Sequence, residues 1–293
     1  MTKKLLLAIS AIFVAACSND TEINNDVNNS ELVPVHVHVG GFSIEQQAFS
    51  RVTRTAQNLT NYNDVNALTL AFYKADGTEV VKTTQAKGEA DFGEFSLSLP
   101  MGTYTMVALA YYNSDASPLV LTSPTVAAFT GTRAYETFAA TQEVTISNTE
   151  AVDISATLSR IISQLKVVST DGKTADVSNV RMTLSDGSKS FNPTTGLAPS
   201  NTGIVNTVGV SASVGVTSES ATCVFLIADE QTMDVTIETL DVDGTVLFSK
   251  TVTHVPFKRN RRTKLIGAMY TNTATAGSFQ VDTDWLTASS VPF

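Results

Sequence analysis

Leu68–Val80 reads LTLAFYKADGTEV, and Val235–Val246 reads VTIETLDVDGTV. Each holds two runs of alternating side chains joined through Asp-Gly. Alternation at period two, rich in β-branched and aromatic residues, is the pattern of a half-buried strand. Asp-Gly between such runs predicts a hairpin, with both central residues of a type I′ turn at positive φ. Further Asp-Gly pairs occur at Asp171-Gly172 and Asp186-Gly187.

The same texture extends in both directions. Val33–Val39 is VPVHVHV, Glu94–Leu99 is EFSLSL and Thr103–Ala110 is TYTMVALA. Gln142–Ile146, Val152–Leu158, Gln164–Val168, Val180–Leu184, Val224–Ala228 and Val246–Val252 continue it. Many short strands with closely spaced turns predict an all-β protein built of β-sandwiches. A short helix is entertained over Phe129–Ala140. A boundary is expected near Ser159–Ile161, giving an N-terminal sandwich over 33–159 and a C-terminal one over 160–293.

At 43% apolar and 16% charged residues, the 293-residue chain predicts a packed core under a neutral, Ser/Thr-rich surface. Its net charge of −9 argues against nucleic acid or anionic lipid as a partner. Residues 1–17 begin with Lys3 and Lys4, run apolar from Leu5 to Ala16, and close on Val14-Ala15-Ala16-Cys17. An apolar run this short falls below the roughly 18 residues of a spanning helix and reads as a signal peptide. A cysteine after the small-residue cleavage site makes it a lipoprotein signal, with Cys17 as the lipidation site. Several acyl chains on one N-terminus exceed what stable membrane attachment requires. Residues 18–32, polar and Asn-rich, read as a flexible tether. With Cys17 lipidated, Cys223 is the one remaining thiol, so no internal disulfide is expected.

Candidate chemistry is sparse. His36 and His38 share one face of a strand but lack a third ligand nearby, so they read as solvent-facing. Asp241-Val242-Asp243-Gly244 starts like a calcium loop but lacks its closing glutamate. Cys223 sits in an apolar run and reads as an inert buried thiol. No nucleophile, base and orienter stand at recognisable spacing. No enzyme, metal or cofactor is expected. The basic stretch Lys258–Lys264 reads as an edge strand or turn kept soluble by its charges.

Gln46–Asn66 has no evident structural role and carries Arg51 and Arg54. Cleavage there would release the strand Val33–Val39 together with the lipid. The exposed backbone and apolar groove could then be refilled by a strand from another chain. Ser278–Phe293 (SFQVDTDWLTASSVPF) offers an extended apolar donor at the other end.

Taken in order, VAAC, FSRVTRT, LTLAFYKADG, LSRIISQLKVV, VRMTLSDGSKSFNPTTG, KRNRRTKLIG and FQVDTDW span nearly the whole chain. In combination the sequence resembles the fimbrillin superfamily of Bacteroidia, the subunits of lipoprotein-derived type V pili. The resemblance implies two transthyretin-like Greek-key β-sandwich domains in tandem. It also implies an outer-membrane, lipid-anchored precursor that reaches the cell surface and the fimbrium. There a trypsin-like protease would cut after Arg54 or Arg51, and subunits would polymerise by donor-strand exchange. Phe279, Val281, Trp285, Val291 and Phe293 fall in the region of the exchanged strand. The implied partners are other fimbrial subunits, the outer membrane through the lipid, and a host or bacterial surface receptor.

A rival reading is a non-polymerising surface lipoprotein, either a pilus anchor or a glycan-binding module. A sugar platform needs exposed aromatic faces, for which Tyr62, Tyr111, Tyr112, Tyr135 and Trp285 are the candidates.

Overall fold

The computed structural model describes residues 31–48, 51–57, 59, 62–271 and 279–282. Among them the regular structure is all-β, with no α-helix. In the first part of the chain the strands are β1 (Leu32–Ala48), β2 (Arg51–Gln57), β3 (Ala67–Tyr73), β4 (Glu79–Ala86) and β5 (Glu94–Pro100). They are followed by β6 (Gly102–Tyr111), β7 (Leu119–Ser123), β8 (Val126–Phe129), β9 (Thr137–Ile146) and β10 (Val152–Arg160). After Arg160 come β11 (Ser163–Ser169), β12 (Asn179–Leu184), β13 (Ser190–Phe191), β14 (Ile204–Gly209) and β15 (Glu219–Val224). The last are β16 (Glu230–Leu240), β17 (Val246–Lys258), β18 (Arg262–Gly267) and β19 (Gln280–Asp282).

One hydrogen-bonded path runs β2-β1-β10-β9-β6-β3-β4, with β5 attached to β1. Inward residues of β1, β5 and β10 (Val33, Val35, Val37, Phe95, Ile154, Leu158) pack in one core with those of β3, β6 and β9 (Leu70, Phe72, Met106, Phe138). A second core lies among β11, β12, β15, β16, β17 and β18, around Leu165, Met182, Val224, Ile237, Phe257 and Leu265. Here β15-β11-β18-β19 and β14-β12-β16-β17 form separate sheets. A third core draws from both sides of Arg160, packing Tyr73, Leu109 and Phe129 with Ile162, Phe191 and Phe225. Phe191 and Phe225 stack with centroids 4.3 Å apart. The small sheet β13-β8-β7 crosses the same divide.

Both quoted hairpins form, as β3–β4 and β16–β17. Their turns are not type I′. Lys74 N–H bonds Thr78 O, and Gly77 N–H bonds Lys74 O, leaving a three-residue loop. Asp241 to Thr245 repeats the pattern. Gly77 and Gly244 have φ of 83°, whereas neither Asp76 nor Asp243 is left-handed. A type I turn closed by a left-handed glycine explains why only the glycine of each pair needs positive φ.

The other Asp-Gly pairs do not build hairpins, because tertiary partners claim them. Gly187, at φ 75°, lies so close to β15 that a Cβ would come within 2.3 Å of Val224 Cγ2. Asp171 accepts hydrogen bonds from the backbone N–H groups of Met269 (2.9 Å), Tyr270 (2.8 Å) and Thr271 (2.8 Å), and from the Thr271 hydroxyl (2.9 Å). Burial alone would raise the Asp171 carboxyl, but these donors outweigh it and hold it below the usual carboxylate range. A depressed folded-state value contributes stability above the unfolded one, and that contribution is lost as pH falls from about 4. Asp171→Asn is therefore expected to lower the urea midpoint at about pH 6, and the gap from wild type is expected to narrow as pH falls below about 4. A constant gap across that range would contradict it.

Phe129–Ala140 holds no helix: β8 ends at Phe129 and β9 starts at Thr137. Phe129, Ala134 and Ala139 are claimed by the third core, which overrides any local helical preference. The apolar run at Val224–Ala228 leaves the strand after Val224, where Phe225 turns to bridge Ser188. Lys258–Arg261 forms a turn in which Arg259 donates to Thr195 O (2.7 Å) and pairs with Asp229 (2.8 Å).

Candidate functional site

Strand β1 occupies the candidate site. In VPVHVHV the period of two puts Val33, Val35, Val37 and Val39 in the core, each no more than 2% exposed. Pro34, His36 and His38 take the opposite, exposed face. His36 Nδ1 lies 3.1 Å from Ser96 Oγ, and His38 pairs with Glu94. Strand β1 is hydrogen-bonded on both sides. It runs antiparallel to β5 from Leu32↔Pro100 to His38↔Glu94, and parallel to β10 from Val35↔Val152 to Ser43↔Ser159. A bulge between His38 and Gly41 interrupts the second ladder. Strand β1 thus fills a slot between β5 and β10, and its removal would leave the facing edge of each without a partner.

The first strand does not stop at Val39. It continues to Ala48 and folds back as β2, so part of the segment without an evident role is a hairpin. Within it Arg51 stands opposite Ala48, and Arg54 opposite Glu45. Among the described residues, strand β2 bonds only to β1 and lies at an edge of the sheet. The Gly40-Gly41 pair lies at the bulge. At the other end, Val281 is opposite Leu265 on β18, and the half-buried Phe279 ring crowds Gly267. Cys17, Trp285, Val291 and Phe293 lie outside the described residues.

Just beyond β2, Leu59 is buried and Tyr62 enters a buried polar cluster that sequence reasoning missed. Arg160 and Glu136 form an ion pair, only 5% and 7% exposed as residues. Tyr62 OH donates to Glu136 Oε1 (3.1 Å) and receives a bond from an Arg160 terminal nitrogen (2.6 Å). The guanidinium also reaches Asn260 Oδ1 (3.4 Å) and stands 4.9 Å from the centroid of the Phe138 ring. Burial raises the Glu136 carboxyl against the opposing pull of Arg160. Burial also pushes the Tyr62 phenol well above its ordinary value, with the Glu136 charge adding to it. One signal was available: in VDISATLSR the inward positions are 154, 156, 158 and 160, so period two places Arg160 in the core.

Comparison with known proteins bears on this geometry. A family model described as a family of unknown function, DUF6562, matches residues 41–287. The chain belongs to that family. No curated protein matches it. Among solved structures, this DUF6562 chain resembles the fimbrial anchor protein Mfa2 of Porphyromonas gingivalis at TM-score 0.50 and 12% identity, over 85% of this chain and 95% of that one. A candidate adhesin of Bacteroides thetaiotaomicron gives TM-score 0.52 at 11% identity, covering 88% and 99%. One of Bacteroides ovatus gives 0.50 at 10%, covering 86% and 92%. The fold is therefore fimbrillin-like.

The aromatic candidates of this DUF6562 protein part company. Tyr111 is buried, its hydroxyl 3.0 Å from Thr69 Oγ1, and Tyr62 belongs to the ionic cluster. Tyr112 and Tyr135 come together with ring centroids 5.3 Å apart, and Tyr112 is 39% exposed. They border an open cleft of about 310 Å³ lined also by Asp64, Arg133, Asn206 and Thr222. Among the described residues no three His, Cys, Asp or Glu side chains converge as metal ligands.

Cys223 borders the same cleft but is 8% exposed, and burial pushes its thiol up to about 12. The nucleophile is the thiolate, so in the chain lacking residues 1–17, where Cys223 is the one thiol, native protein should react with a maleimide on the order of a hundredfold more slowly than urea-unfolded protein. Equal rates would contradict this placement.

Proposed function

We propose that this protein is a cell-surface fimbrial subunit, exported as a lipoprotein through Cys17 and assembled by strand exchange. The observation that carries the reading is the position of β1, bonded to both β5 and β10 and supplying four consecutive inward valines. Its likeness in fold to a fimbrial anchor protein and candidate adhesins supports the same reading. Cleavage after Arg54, or after Arg51, frees β1 together with the tether and lipid. The proteolytic site then lies on an edge strand, an extended segment bonded on one side only among the described residues. Leu59 and Tyr62 keep the new N-terminus anchored downstream of the cut.

The vacated slot accepts a strand with aliphatic side chains at alternate positions, and backbone ladders supply much of the affinity. The donor is the C-terminal segment of another subunit, either a second copy or a relative. In this chain Phe279 and Val281 seat the base of that segment on β18, and the tail carrying Trp285, Val291 and Phe293 is donated. Such a head-to-tail interface does not close on itself, so it generates a filament.

Limited trypsin digestion of the chain lacking residues 1–17 tests the processing step. The first cut is expected after Arg54 or Arg51, giving a new N-terminus at Thr55 or Val52. Survival of both arginines while other sites are cut would overturn it and leave a non-polymerising surface lipoprotein.

A further inference from the structure

We propose that the cleft bordered by Tyr112 and Tyr135 is a binding site for a neutral saccharide. It lies where loops beside β6 and β9 meet β14 and β15, remote in sequence from β1, and it does not depend on strand exchange. Its volume of about 310 Å³ matches the lower end of small-ligand sites, about 300–1,000 Å³.

Four observations define the ligand. First, Tyr112 and Tyr135 lie 5.3 Å apart at an interplanar angle of 38°, and Tyr112 keeps 39% of its surface in solvent. An exposed aromatic face beside polar groups suits the C–H face of a pyranose ring. Second, Tyr135 is held in place: Arg133 Nε donates to its hydroxyl (2.7 Å), and the guanidinium carbon stands 4.6 Å from its ring centroid. A fixed aromatic platform loses little conformational entropy on binding.

Third, the cleft wall carries uncharged polar side chains. Gln164, Asn206 and Thr222 line it beside the charged groups. Amide and hydroxyl groups both donate to and accept from ligand hydroxyls. Fourth, the lining charges cancel. Asp64 opposes Arg133, while Glu136 is already committed to Arg160. A neutral polyhydroxyl ligand fits this balance better than an anionic or cationic one.

A peptide added as an extra strand is disfavoured by the local backbone. The outer edge of β15 is already engaged. Ala221 O accepts from Asn206 Nδ2 (3.5 Å), Cys223 bridges to Ala134, and Phe225 exchanges both backbone bonds with Ser188 (2.9 Å each). Recognition must therefore run through side chains.

The test uses uncut chain lacking residues 1–17, so its outcome is independent of β1 release. It is applied to an array of neutral oligosaccharides (β-glucan, α-mannan, xylan, galactan and N-acetylglucosamine oligomers) with heparin and polysialic acid as charged controls. Hits are quantified by calorimetry. At least one neutral glycan is expected to bind. Tyr112→Ala is expected to weaken it about tenfold, and Tyr112→Phe to leave it within about twofold. Thermal unfolding of both variants should match wild type, because Tyr112 is substantially exposed. Absence of any neutral-glycan binding, binding confined to the charged polymers, or affinity unchanged by Tyr112→Ala would each overturn the proposal.

Discussion

Deleting residues 1–54 is expected to leave a chain that self-associates or precipitates, and adding a peptide of residues 31–48 is expected to return it to a soluble monomer. The argument is one of magnitude. Val33, Val35, Val37 and Val39 are essentially fully buried. Burying such side chains contributes about 1.5–3 kcal/mol each, so losing four removes about 6–12 kcal/mol, an upper estimate. That is comparable to the whole stability of an ordinary domain, about 5–15 kcal/mol. Two backbone ladders, to β5 and to β10, are lost as well. An empty slot is therefore not a resting state, and any matching strand will fill it. A peptide carrying Val35→Asp and Val37→Asp should fail to rescue, since it would bury two unpaired carboxylates. A truncated chain that is monomeric, melts like the full chain and ignores the peptide would contradict this picture. Light scattering and thermal unfolding read both outcomes.

The second large effect concerns the ionic cluster below the proposed cut. Arg160→Ala or Glu136→Ala alone is expected to destabilise the protein by about 3–5 kcal/mol, because each leaves a buried charge without its partner. The Arg160→Met, Glu136→Leu double variant is expected to lose much less than either single variant. Replacing both members of a buried pair by apolar groups is often near neutral. Urea unfolding of the three variants measures this as a double-mutant cycle. Single losses under about 1 kcal/mol would show that the pair is solvated rather than buried. Because Tyr62 bonds both members, the cluster also fixes the chain a few residues beyond Arg54. Its loss should loosen the segment that must stay in place when β1 departs.

Local patterning made much of this architecture legible. The hairpins β3–β4 and β16–β17 follow from alternation and Asp-Gly, and the buried and exposed faces of β1 follow from VPVHVHV. Long-range pairing was not legible. The parallel ladders β1–β10 and β11–β18 join segments about a hundred residues apart, and period-two patterning does not name a partner. Strand β2 escaped because RVTRTAQ has no apolar alternation, and its pairing is carried by backbone bonds to β1. Asp171 and Gly187 carry the same dipeptide signal as the true hairpins, yet one caps the segment 269–271 and the other packs against β15. Glu136 gave no sequence signal, because it stands in the loop before β9 and its partner is supplied by β10. The pairing of Tyr112 with Tyr135 likewise depends on how the β6 and β9 ends meet in space.

Native mass spectrometry of the chain lacking residues 1–17, after complete cleavage at Arg54, tests strand exchange most directly. The account predicts a ladder of masses at integer multiples of the fragment 55–293, free of residues 18–54. The ladder should disappear when the tail after Asp282 is removed. Monomeric fragment still holding residues 18–54, at high concentration and with the tail intact, would contradict it.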